Sequence, residues 1–159
     1  MNKFSHIDLR VNDLESVMPF YEKLLPELGF TRTYHSLNWK VFAAEGELPS
    51  AAYFAITEDR EHKPNSNLIG FWANDRDEVD HIAKLVKDNG GTINDGPRLF
   101  PISPTYYAIY FEDPCGNKYE LVHRLNEIPI RTEAAKRGGD PLFCAIIGKR
   151  RTVGGTVFA

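Results

Sequence analysis

Two segments of this chain carry the same order of hydrophobic and polar patterns. Residues 4–11 alternate, with Ile7, Leu9 and Val11 on one side and His6, Asp8 and Arg10 on the other, which predicts a half-buried strand. Asp13 follows as an N-cap. After it Leu14, Val17, Met18, Tyr21, Leu24, Leu25 and Leu28 recur at helical spacing, one apolar stripe that Gly29 closes. Pro19 argues against a regular first turn unless the helix starts near Ser16. Residues 30–36, 38–44 and 51–57 read as three strands, and the polar stretch 58–66 as a linker. The pattern then restarts. Residues 68–73 predict a strand, and Asp75 with Glu78 has the spacing of a capping box. Val79, Ile82, Ala83 and Val86 form a second helical stripe, closed by Asn89, Gly90 and Gly91. Strands follow near 92–93, 106–112 and 119–123, the last two joined by the turn-forming run Asp113-Pro114-Cys115-Gly116-Asn117.

The restart is a register match as well as a similar order. At an offset of 62, Ile7 falls on Ile69, Leu9 on Phe71, Val11 on Ala73, Asn12-Asp13 on Asn74-Asp75, Val17 on Val79 and Gly29 on Gly91. The chain therefore reads as a duplicated βαβββ unit whose copies share a core, because neither can bury its sheet face alone. The predicted class is α+β, with two tandem βαβββ modules forming a curved mixed sheet around a shared pocket. Module 1 spans about 4–57, module 2 about 67–123, and the whole domain 1–123.

Charge sets the remaining 124–159 apart. This extension holds seven Lys/Arg against three Asp/Glu, whereas the body holds 12 against 19. The segment reads as a partly ordered basic extension in which 142–147 and 152–159 could form strands; the alternative is that its apolar LFCAII run packs on a partner subunit. The formal net charge of -3 argues against a nucleic-acid partner. No apolar run approaches the ~20 residues of a membrane span, and the N-terminus lacks a signal-peptide core, so a cytoplasmic address is expected. Cys115 and Cys144 are too few for a disulfide framework. Cys115 has only Lys118 nearby in sequence to activate it and reads as inert.

The stretches HIDLRVNDLESVMPFYEKLLPELGF, NDRDEVDHIAKLVKDNGG with NDGPR, and YYAIYFEDPCGNKYELVH resemble the glyoxalase / bleomycin-resistance / extradiol dioxygenase superfamily, the vicinal oxygen chelate fold. The resemblance covers 4–123 and none of the extension. In that superfamily a divalent metal is held by residues from the first and last strands of each module. Carried over, these positions are His6 and Leu68 on the first strands, and Glu120 with Phe54 on the last. The resemblance thus implies His6 and Glu120 as catalytic and metal-binding residues, and at most weak binding of a divalent metal ion, since two of the four positions are apolar. Phe54, Leu68, Trp72, Tyr106 and Tyr107 are candidates to line a substrate pocket.

Two functions follow from the resemblance. One is a small-molecule enzyme of lyase, isomerase or dioxygenase type with an incomplete metal site. The other is a metal-free module that sequesters a small hydrophobic or cationic compound, as bleomycin-resistance members do. A homodimer is expected in either case, since superfamily members commonly pair and open sheets leave edges to be covered.

Overall fold

A computed structural model describes residues 4–46 and 51–125 of the chain. The strands predicted at 142–147 and 152–159 lie outside the described residues. The compact unit ends at Arg124. It contains two copies of one βαβββ arrangement, β1 (His6–Val11), α1 (Leu14–Glu27), β2 (Arg32–His35), β3 (Trp39–Ala43) and β4 (Tyr53–Glu58), then β5 (Leu68–Trp72), α2 (Arg76–Asp88), β6 (Thr92–Leu99), β7 (Tyr107–Glu112) and β8 (Lys118–His123). Hydrogen bonding keeps the copies as two four-stranded mixed sheets, ordered β1-β4-β3-β2 and β5-β8-β7-β6, rather than one continuous sheet. In each, the first strand runs parallel to the last and the other pairs are antiparallel.

Both helices begin as their sequence dictates. The Asp13 carboxylate accepts from Ser16 N, and α1 starts at Leu14 and continues through Pro19. The expected late start at Ser16 does not occur. At α2, Asp75 accepts from Glu78 N, while the Glu78 carboxylate accepts from Asn74 N in return. The predicted stripes are buried, with Phe20 added in α1 and Leu28, its C-cap, only partly buried. They pack on Ile7, Leu9, Phe54 and Ile56 of the first sheet and on Ile69, Phe71, Ile109, Phe111, Tyr119 and Leu121 of the second, in a single core. Phe54 and Phe71 bridge the sheets at 6.1 Å between ring centroids.

One polar group crosses the core. The Tyr21 hydroxyl donates to Asp113 Oδ2 and lies 2.7 Å from the Tyr119 hydroxyl. Asp113 is 2% exposed, yet both its oxygens are satisfied, Oδ1 by the amides of Cys115 and Asn117 and Oδ2 also by Asn117 Nδ2. A helix of module 1 is thereby tied to the last turn of module 2. Among the described residues no helix is long and apolar enough to cross a membrane.

Candidate functional site

With one face of each sheet given to the helices, the alternation of the strands assigns the other face. In the first sheet His6 pairs with Tyr53, Asp8 with Ala55 and Arg10 with Thr57, and these share the helix-free face with Trp39, Val41 and Ala43 of β3. The rings of His6 and Tyr53 stack, 4.5 Å apart and parallel to 1°, and the Ser5 hydroxyl lies 3.0 Å from His6 Nδ1. Asp8 Oδ1 accepts from Arg10 Nη1 at 2.9 Å and from Thr57 Oγ1 at 2.7 Å. Phe54, expected in the pocket, is instead 1% exposed in the shared core. It lies one residue out of register with this face, and a one-residue step along a strand reverses the side chain.

In the second sheet the helix-free face carries Leu68, Gly70 and Trp72 of β5, Lys118, Glu120 and Val122 of β8, and Ala108 and Tyr110 of β7. Glu120 lies beside two phenols. Tyr106 donates its hydroxyl to Glu120 Oε1, and Tyr110, opposite Glu120 in the β7–β8 register, has its phenol raised by burial and by the same carboxylate. Burial, then the bond to Glu120, pushes the Tyr106 phenol up to about 12, and the same causes in the same order raise Tyr110. The Tyr110 ring meets Phe100 edge-on at 5.1 Å, and the Arg98 guanidinium sits 3.9 Å over Phe100 while pairing with Asp95. Trp72 is 65% exposed, with the Arg124 guanidinium 5.1 Å from its ring. Tyr107 departs from expectation. It faces α2, donating to Asp80 Oδ1 at 2.8 Å with the Arg76 guanidinium 5.3 Å from its ring. Tyr110 was absent from the predicted site, although it shares the alternation of Tyr106 and Ala108 and so was within reach of the same parity argument.

The register also corrects the equivalence between modules. His6 and Leu68 occupy matching positions, but Tyr53 matches Lys118, so the mate of Glu120 is Ala55 and not Phe54. The register-matched positions that carry the metal-site expectation are therefore His6, Ala55, Leu68 and Glu120. Only two carry a donor atom, and one of those, Glu120, is engaged by Tyr106. Among the described residues no group of three or more His, Cys, Asp or Glu side chains could hold a metal ion. This donor set does not fit a tightly held divalent ion, which needs several protein ligands to offset ordering and desolvation.

A family model described as Glyoxalase/Bleomycin resistance protein/Dioxygenase superfamily matches residues 3–121. Among solved structures, a glyoxalase/bleomycin resistance protein from Albidiferax ferrireducens T118 superposes with a TM-score of 0.63 at 29% identity, over 78% of this chain and 100% of that one. The fosfomycin resistance protein FosX from Mesorhizobium loti shares the fold at a TM-score of 0.56 and 23% identity, over 79% of this chain and 95% of that one. No match emerges among curated proteins.

Proposed function

Since this chain belongs to the Glyoxalase/Bleomycin resistance protein/Dioxygenase superfamily, we propose that it binds a small planar compound on its helix-free sheet faces without the help of a metal. The observation that carries this reading is the donor set, with the apolar Ala55 and Leu68 at the positions that match Glu120 and His6 in the other module. His6 is stacked on Tyr53 and Glu120 is bonded by the Tyr106 phenol, which favours binding over metal-assisted catalysis. Exposed large apolar side chains on these faces, Tyr34 at 43%, Trp39 at 42%, Leu68 at 45% and Trp72 at 65%, suit a flat apolar ligand. A cationic group on that ligand would find the Glu120 carboxylate among Trp72, Tyr106 and Tyr110. In the same proposal a second copy of the chain covers these faces, setting the first sheet of one against the second sheet of the other.

Both tryptophans of the protein, Trp39 and Trp72, lie on these faces, so their fluorescence reports occupancy directly. Titration with thioflavin T, a planar aromatic cation, should quench it saturably, with the same affinity in the presence of a chelator. Glu120→Gln should weaken binding by about tenfold, the usual cost of removing a charged partner from a site of this kind. Binding that appears only when manganese or another divalent ion is added would overturn the reading. Sedimentation that gives only the monomer mass at micromolar concentration would remove the second copy from it.

A further inference from the structure

β1 and β5 are end strands of their sheets, hydrogen-bonded to β4 and β8 respectively and not to one another. Residues of both line a cleft of about 400 Å³, with Asn117, Lys118 and the linker residues His62 and Asn65 completing its wall. That volume lies within the range of small-molecule sites. Ile7, Leu9 and Ile69 supply apolar surface, and Lys118 and the carboxamides of Asn65 and Asn67 supply hydrogen-bond donors.

The charges of the lining are not balanced. Its one carboxylate, Asp8, is already neutralised by Arg10 and bonded by Thr57. Lys118 forms no ion pair with the described residues. Glu112, its partner in the β7–β8 register, gives Oε1 to Asn94 Nδ2 at 3.1 Å instead. The wall is fixed from behind, because Asn117 Nδ2 donates to Arg10 O and Asp113 Oδ2, leaving Asn117 Oδ1 to accept from His62 Nε2 at 3.0 Å. An apolar surface beside one uncompensated ammonium and neutral amides is complementary to an apolar molecule bearing a single negative charge.

We propose that this inter-module cleft is a second ligand site, for a small organic carboxylate whose apolar body rests on Ile7, Leu9 and Ile69 and whose carboxylate meets Lys118. A phosphate monoester fits less well, since its second charge would need another free cation and Arg10 is committed to Asp8. The site shares Asp8, Arg10 and Lys118 with the helix-free sheet faces but takes its apolar surface from Ile7, Leu9 and Ile69, of opposite parity on β1 and β5, and it selects the opposite charge.

The test is titration of the full-length ¹⁵N-labelled protein with 2-naphthoate, followed by amide correlation spectra. Saturable shifts are expected in the carboxamide signals of Asn65 and Asn67 and in the Lys118 amide. Lys118→Met should weaken binding about tenfold or more, and Lys118→Arg should restore it. Lys84→Met, which removes a lysine of α2 outside both sites, should leave the affinity unchanged. Shifts confined to the two tryptophan indole signals would overturn the proposal while leaving the sheet-face site in place. Equal affinity in a folded Lys118→Met protein, phenyl phosphate binding more tightly than 2-naphthoate, or no saturation at millimolar concentration would also overturn it.

Discussion

Glu120 shows how neighbours decide what a carboxylate can do. The Tyr106 phenol donates to one of its oxygens, and burial together with its charge holds Tyr106 and Tyr110 neutral. The other oxygen is left to a ligand. Phe54 and Leu68 test the assignment of faces on which this picture rests. Phe54 touches Tyr21, Phe30 and Phe71 in the core, so Phe54→Ala should cost ~3–5 kcal/mol. Leu68 is 45% exposed, and Leu68→Ala should cost about 1 kcal/mol. Urea unfolding of the two variants decides, and similar costs would mean that the faces are misassigned. The sheet face of Glu120 and Leu68 was legible in the sequence because strand alternation and the offset of 62 fix it. Phe54 was not, because its assignment assumed that Tyr53-Phe54 parallels Tyr119-Glu120, and local likeness of residues cannot fix a register to within one position.

Between elements, the repeat explains both what the sequence makes plain and where it misleads. The offset is 62 from β1 to β5 and between the N-caps Asp13 and Asp75, but the C-caps Leu28 and Asn89 are 61 apart, since α2 is one residue shorter than α1. The glycines in the left-handed conformation after the helices are accordingly Gly29 (φ 89) and Gly90 (φ 88), not Gly29 and Gly91 as a constant offset expects. Gly91 answers a different need, as a Cβ there would lie 2.7 Å from Phe20 and Val86. No periodicity could reveal the bond between α1 and the turn at Asp113, which joins residues 92 apart in sequence. Tyr21→Phe should cost ~1–3 kcal/mol in chemical denaturation, because it leaves a buried carboxyl oxygen short of a donor; an unchanged midpoint would count against the bond. The buried phenols also set an alkaline limit. Burial, first among the causes, raises Tyr21 and Tyr119 well above the ordinary 10.0 and Tyr106 to about 12. A group with a raised folded value contributes stability that is whole below its unfolded value and is lost as pH climbs through the folded one. Stability should therefore fall above about pH 10, with most phenolate absorbance appearing only on unfolding. A full phenolate signal from folded protein at that pH would contradict the burial.

For the molecule as a whole, the alternating strands, the two helical stripes and their capping residues all describe one arrangement, and that agreement made the fold readable. The extension offers no such agreement. Its charge is opposite in sign to that of the body, it has no repeat mate, and the family match stops at residue 121. Every strand of both sheets, both helices and the Tyr21–Asp113 bond lie before Arg124. Truncation after Asn126 should therefore leave a soluble protein that melts in one cooperative transition. It would also keep Arg124 beside Trp72, so the sheet-face site should retain its affinity for thioflavin T. Calorimetry and the fluorescence titration, run on the truncated and full-length chains together, separate the two contributions. A truncated protein that is insoluble or lacks a cooperative transition would mean that the extension supplies core. One that melts normally but no longer binds would mean that the extension supplies part of the site.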